Sequence, residues 1–354
     1  MRWRFHRPVL GNLCIGAIRS FSRLLRSLSF QPGEARYRMT TLSVQRCRWS
    51  KDGARKGTTS FRLHLCEGSW LHRCEVRVVE LCRASIGLLG VVSLSAASAQ
   101  TTPEVTLTRF DCGGGAGPVD VARFSDAYAY EGKKLQLTAS CYLVRHGEAY
   151  LIWDTGYPAA TTGGPQPAGP TVKITLVEQL AQLKLKPEQI KFVGISHYHG
   201  DHIGQAGSFP QATLLIGKGD WDALTTSPPP TGVNPTPVSH WISGGGAVEV
   251  VPRDKDVFGD GSVVMLDMPG HTPGHHSLLV RLKEKGVVLL TGDLAHFREN
   301  YDSDGVPSFN TNRADTLASL DRFKEIAANL KATVIIQHDP RDIEKLPAFP
   351  GTAK

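Results

Sequence analysis

Ser196-His197-Tyr198-His199-Gly200-Asp201-His202 decides how this chain is read. Three imidazoles and a carboxylate fall within six residues, directly after the apolar run Ile190-Lys191-Phe192-Val193-Gly194-Ile195. A β-branched run that ends in a sharp turn is a strand delivering its C-terminal loop to a site. In such a loop His197 and His199 point the same way, and Asp201 and His202 open the next element. That ligand density suits two metal ions rather than one. The alternative, a surface histidine cluster, leaves the later His and Asp residues unexplained.

Further along the chain, three more apolar runs end in a single ligand-type residue. Val263-Val264-Met265-Leu266 leads into Pro269-Gly270-His271-Thr272-Pro273-Gly274-His275. A strand over residues 286–290 runs into Thr291-Gly292-Asp293, and a strand over residues 333–336 delivers Gln337-His338-Asp339. Taken singly, His271 or His338 reads equally well as a core histidine and Asp293 as a turn residue. Their shared position at strand ends is what a site on a sheet edge requires. Five His and two Asp offer nitrogen and oxygen donors that suit zinc, with iron, manganese or cobalt as alternatives.

The pattern His197-x-His199-x-Asp201-His202, His271, Asp293, His338 resembles the metallo-β-lactamase superfamily, over residues 104–345 and including the Trp153-Asp154-Thr155-Gly156 turn. The resemblance implies an α/β fold, an αββα sandwich of two mixed β-sheets flanked by helices. It implies that His197, His199 and His271 hold one metal, that Asp201, His202 and His338 hold a second, and that Asp293 bridges both, for two Zn2+ per chain. A water between two such ions loses its proton near neutral pH and attacks a carbonyl or phosphoryl centre. Asp154 is a candidate partner for a ligand imidazole, or else a simple turn residue.

Within the superfamily, Asp293 argues against true β-lactamases, which lack a carboxylate there. The full ligand set is shared by glyoxalase II-type thioester hydrolases, tRNA-processing nucleases and N-acyl homoserine lactonases. The segments Cys141-Tyr142-Leu143-Val144-Arg145-His146, Leu151-Ile152-Trp153-Asp154-Thr155-Gly156 and Thr291-Gly292-Asp293-Leu294-Ala295-His296-Phe297 look most like the lactonases. A glyoxalase II would need a basic helical region after His338, and the chain ends too soon for it. The function the resemblance implies is therefore opening of the lactone ring of N-acyl homoserine lactones, small-molecule substrates, by attack of a metal-bridging hydroxide. The alternatives are another ester, thioester or β-lactam hydrolase of the same fold, or a metal-binding protein without catalysis. The candidate catalytic residues are Asp201 and His296. Lactonases carry a tyrosine three residues after the bridging Asp, and His296 stands there. An imidazole can donate one hydrogen bond to an oxyanion, so His296 keeps that role or marks a shifted substrate, with Tyr301 as a substitute. The substrate's acyl chain is expected between the Pro- and Gly-rich loops at residues 157–171 and 227–241.

The formal charge of +7 suggests nucleic acid or a membrane surface. Residues 1–99, however, hold 17 basic and 5 acidic residues, leaving 23 and 28 for the remainder. The rest of the chain is mildly acidic, which argues against a nuclease. Residues 1–75 are Arg- and Ser-rich without periodicity, a transit-like or disordered arm or an over-extended start. The adjoining segment favours an over-extended start. Residues 76–83 form a basic-flanked segment, residues 84–94 an apolar run, and Ala97-Ser98-Ala99 a cleavage site before Gln100. A signal peptide ending near Ala99 implies a periplasmic or secreted protein, with residues 100–354 as the hydrolase domain. The apolar run is too short to span a membrane, so no stable insertion is expected; an interfacial helix is the other reading. Cys112 and Cys141, beyond the head, form no CxxC pair. They pair with each other in an oxidising compartment, or stay as free buried thiols. The oligomeric state is left open, a homodimer included.

Overall fold

The computed structural model describes residues 103–115, 117–159, 170 and 172–354. The basic head and the signal-like segment lie outside the described residues, as do positions 160–169 and 171 of the first Pro/Gly-rich loop. Fourteen strands are present among the described residues: β1 (Val105–Gly114), β2 (Val119–Asp120), β3 (Lys134–Leu135), β4 (Thr138–His146), β5 (Ala149–Trp153), β6 (Ile190–Ile195), β7 (Thr213–Gly217), β8 (Val248–Val251), β9 (Lys255–Asp256), β10 (Val263–Asp267), β11 (His276–Leu282), β12 (Gly286–Leu290), β13 (Thr333–Ile335) and β14 (Thr352–Ala353). The α-helices are α1 (Leu176–Gln182), α2 (Gly200–Ile203), α3 (Lys218–Thr225), α4 (Ser239–Ile242), α5 (Arg298–Asp302), α6 (Arg313–Asn329) and α7 (Pro340–Ile343).

Seven strands form one sheet in the order β14-β1-β4-β5-β6-β7-β8, and five form another in the order β13-β12-β11-β10-β9. Both are mixed. β5 through β8 run parallel beside antiparallel neighbours, and β13 runs parallel to β12 in an otherwise antiparallel sheet. The period-two alternation of the strands builds the layers. Leu107, Tyr142, Val144, Leu151 and Trp153 of the first sheet meet Met265, Leu278, Val280, Val288 and Leu290 of the second in one buried core. The alternate residues of the first sheet, Phe110, Cys141, Leu143 and Ile152, turn outward under Leu176 and Leu180 of α1. Those of the second, Leu266, Leu279 and Leu289, lie under Leu320 and Phe323 of α6. The layers are thus helix, sheet, sheet, helix, as the family resemblance implies.

The helices start where local chemistry says they should. Thr175 and Glu178 form a reciprocal capping box at α1, and the Asn312 side chain caps α6 through Asp315 N. The segment from Lys134 to His146 forms two strands, β3 and β4, the first paired only with β2. Cys112 and Cys141 are joined in a disulfide between β1 and β4, with Cα atoms 5.8 Å apart. No helix among the described residues is long and apolar enough to cross a membrane.

Candidate metal centre

The ends of four strands converge. β6 delivers Ser196 to His199, and the single turn of α2 carries Asp201 and His202. His271 lies in the turn from β10 to β11, Asp293 in the 3-10 turn Gly292–Leu294 after β12, and His338 just past β13. All seven residues expected from the sequence come together, in two groups. The first pocket holds His197, His199, His271 and Asp293, and the second Asp201, His202 and His338.

In the first pocket His197 Nε2 and His199 Nδ1 are 2.9 Å apart, and His271 Nε2 lies 3.2 and 3.0 Å from them. Nitrogens bound at 2.0–2.1 Å to one tetrahedral ion lie about 3.3 Å apart, so this triangle fits such an ion. Asp293 stands between the pockets. Its Oδ2 is 3.5 Å from His197 Nε2 and 3.2 Å from His271 Nε2. Its Oδ1 is 3.1 Å from His202 Nε2 and 2.8 Å from His338 Nε2. Each carboxylate oxygen therefore faces one pocket, as a bridging ligand must. Asp201 Oδ2 lies 3.9 and 3.8 Å from the same two imidazoles.

Cation binding needs neutral imidazoles and ionised carboxylates, and the first pocket is tuned that way. Burial, with the charge of His202 next, pushes His197 well below the usual histidine range. Burial and His271 bring His199 down to about 4. Burial opposes charge on Asp293, but the imidazoles around it, His296 and His202 foremost, hold its carboxyl well below the usual range. The second pocket differs. Burial works against charge on His202, yet the carboxylates of Asp293, Asp154 and Asp201 hold it well above the ordinary value, and Asp293 first raises His338 against its burial too. The donor set, five imidazoles and two carboxylates on two facing triads, fits a pair of divalent cations.

The nitrogens turned away from the pockets are also held. Asp154, left-handed at φ +58°, accepts from Ser196 N at 2.7 Å and faces His202 Nδ1 at 2.9 Å, so it is the imidazole partner expected of it. Gln337 Nε2 donates to the same carboxylate at 2.9 Å. His271 Nδ1 lies 2.8 Å from Asn310 Oδ1, and His338 Nδ1 2.6 Å from the Thr138 carbonyl. His275, quoted in the motif without a role, is fully buried; Asp293 N–H donates to its Nε2 at 2.9 Å, and its Nδ1 lies 3.0 Å from the Met268 carbonyl. It fixes the peptide that carries the Asp293 carboxylate.

His296 is buried against Phe124, ring centroids 4.7 Å apart, with Nε2 3.1 Å from Asp293 Oδ2. Its Nδ1 is buried with no hydrogen-bond partner among the described residues. Tyr301 is not its substitute. That ring packs 6.2 Å from Phe323, under the Lys324 ammonium, and does not line the cavity over the pockets.

That cavity has a volume of about 540 Å³. Its floor includes His199, Asp201, Asp293, His296 and His338, and its apolar wall is Val119, Phe124, Leu137 and Phe309. Tyr157 and Pro170 of the first Pro/Gly-rich loop contribute, as expected, but nothing from residues 227–241 does. The second loop turns inward instead, burying Val238 and Trp241 in the core. The sequence pattern does not reveal the wall, because residues 119–137 carry only two-residue strands and the single 3-10 turn Ala122–Phe124, with no periodicity. Nor does it single out Tyr157, whose hydroxyl faces the Asp201 carboxylate and which burial and that charge keep protonated.

A model of the metallo-beta-lactamase superfamily matches residues 136–338. An N-acyl homoserine lactonase of Rhizobium radiobacter is 32% identical over 192 residues, covering 49% of this chain and 68% of that protein. One of Bacillus cereus is 30% identical over 230 residues, covering 62% and 88%. A solved N-acyl homoserine lactone hydrolase, with N-hexanoyl-L-homoserine bound at its catalytic metal centre, superposes with a TM-score of 0.59 at 25% identity, covering 71% of this chain and 99% of that one. With two facing ligand triads at the strand ends of both sheets and these likenesses, the chain belongs to the metallo-beta-lactamase superfamily and is a metal-dependent hydrolase.

Proposed function

We propose that this hydrolase binds two zinc ions and opens the ring of N-acyl homoserine lactones. The observation that carries the reading is Asp293, whose two oxygens each face one imidazole group beneath an apolar-walled cavity. The lactonases of Rhizobium radiobacter and Bacillus cereus support the choice of substrate. His197, His199 and His271 would hold one ion, Asp201, His202 and His338 the other, with Asp293 shared. Bound there, two such ions would supply a water of near-neutral pKa and polarise the ester carbonyl.

The remaining work falls to the chain's own side chains. Val119, Phe124, Leu137 and Phe309 take the acyl chain, because an apolar wall gains from covering it and a lactone offers no charge to hold. The His296 imidazole, through Nε2, and the Tyr157 hydroxyl line the cavity and donate hydrogen bonds to substrate oxygens. Asp201, ionised because His202 and His338 outweigh its burial, accepts a proton and returns it to the departing ring oxygen.

Export completes the proposal. The Cys112–Cys141 disulfide supports an oxidising compartment, and a mature N-terminus at Gln100 is its test; a natural product retaining residues 1–75 overturns it. The catalytic reading is tested by measuring bound zinc, then assaying acyl homoserine lactones, δ-lactones, a thioester and a β-lactam. We expect about two zinc ions per chain and preference for the acyl homoserine lactones. Two ions without lactone turnover overturn the substrate, and turnover of the thioester or β-lactam in its place selects another hydrolase of the same fold.

A further inference from the structure

Asp220 is a fully buried carboxylate with no ion-pair partner among the described residues. It sits in the first turn of α3, on a segment that supplies no metal ligand. Its Oδ2 accepts from Tyr198 N–H at 3.0 Å and from the Thr272 hydroxyl at 2.9 Å, and its Oδ1 accepts from Gly274 N–H at 2.7 Å. Tyr198 lies between His197 and His199, and Thr272 follows His271. One side chain therefore grips two backbone N–H groups and one hydroxyl close in sequence to all three imidazoles of the first pocket.

The surrounding backbone is shaped to seat that grip. A Cβ at Gly274 would come within 2.4 Å of Asp220 N, and one at Gly217 within 1.8 Å of the Gly274 carbonyl oxygen. The β7–α3 junction and the turn carrying His271 touch main chain to main chain, which side chains at those positions would prevent. Burial pushes the Asp220 carboxyl up to about 7 even with three donors on it. An isolated buried carboxylate is costly to keep, and simple packing would be served by an apolar residue of similar size.

We infer that Asp220 is a positioning residue that sets the spacing of the His197, His199 and His271 imidazoles and so the metal affinity of the first pocket. The inference rests on the two-metal reading. It reaches further, because it predicts that one pocket can be weakened without the other.

The test is chelator competition on the full-length protein, titrating zinc and following both equivalents, with thermal unfolding measured beside it. Asp220→Asn keeps the shape but replaces one acceptor with a donor facing an N–H. It is expected to weaken one zinc equivalent by about 10–100-fold, as loss of a ligand's supporting partner does, and to leave the other within about twofold. Thr272→Val removes a single hydrogen bond of the three and is expected to weaken the same equivalent less, so the inference stays testable if Asp220→Asn does not fold. Gln179→Ala is the control; its buried side chain ties Asp111 to α1 away from both pockets. It should lower thermal stability with both equivalents intact. Unchanged affinities in folded Asp220→Asn or Thr272→Val overturn the inference, as does an equal loss in Gln179→Ala. A wild-type protein that binds no zinc overturns the two-metal reading instead.

Discussion

The two pockets are built from the same kinds of donor but are supported differently. Behind the first, the far nitrogens meet neutral groups: the Ser196 hydroxyl 3.1 Å from His197 Nδ1 and the Asn310 amide oxygen 2.8 Å from His271 Nδ1. Behind the second, His202 Nδ1 meets the Asp154 carboxylate, and His338 Nδ1 meets a backbone carbonyl at 2.6 Å. A carboxylate behind an imidazole makes it a more basic ligand and fixes its tautomer more firmly than an amide does. The second pocket also has Asp201 in front. The difference teaches that the first pocket depends on backbone placement and the second on charge.

Asp293 is where the two meet, and its removal should have the largest effect. Asp293→Ala takes one oxygen from each pocket and leaves four imidazoles facing a gap. Both zinc equivalents are expected to weaken, by more than the ~100-fold that losing an outer partner costs, with activity lost in parallel. Zinc analysis after dialysis, together with lactone turnover, checks this. A variant that keeps one equivalent at full affinity would show that the carboxylate serves a single pocket.

The contrast in support predicts a smaller, asymmetric pair of effects. Asp154→Asn suits the test because asparagine also tolerates the left-handed backbone at φ +58°. It should weaken the second equivalent by about 10–100-fold. Asn310→Ala removes a neutral partner from His271, and the first equivalent should weaken by about tenfold or less. Chelator competition on both variants reads the two numbers side by side, and equal losses would erase the distinction between charge and placement.

Much of this centre was legible in the sequence because its ligands obey a local rule. Each of His197, His271, Asp293 and His338 follows an apolar run, so strand pattern and residue type together place it at a sheet edge. Asp154 was legible for the same reason, at the end of β5. What supports the ligands was not. Asp220 reaches residues 22, 52 and 54 positions away, and His275 reaches Asp293 across the β11–β12 hairpin; no spacing rule encodes either. The cavity wall failed for a different reason. Phe124 ends a three-residue 3-10 turn and Phe309 sits in a turn, both too short for any periodicity to say which side chain turns inward. The Pro-rich stretch at residues 227–241 shows the converse, since prolines specify its backbone and not the burial of Val238 and Trp241.

The smallest effect lies just outside the second pocket. Asp339, next to His338, accepts from Arg298 N–H and pairs with Arg341, which pairs in turn with Glu299; Lys133 closes the chain of charges at 2.8 Å from Glu299. Arg341 first and Lys133 after it hold the Glu299 carboxyl down at about 2, against 4.5 for the free group. Between those values the unfolded chain binds the proton that the folded one refuses. The stabilisation is thus complete above pH 4.5 and is lost as pH falls toward 2. Glu299 is more than a third exposed, so solvent screening leaves the pair worth less than about 1 kcal/mol. Urea unfolding should therefore show Glu299→Gln weaker than wild type by less than ~1 kcal/mol at about pH 7, with the gap closing near about pH 2.5 and shrinking in high salt. Zinc affinity should not move, because the network ends at Asp339 and His338 is held by the Thr138 carbonyl. A change in the second equivalent would instead carry the charge dependence of that pocket out to the protein surface.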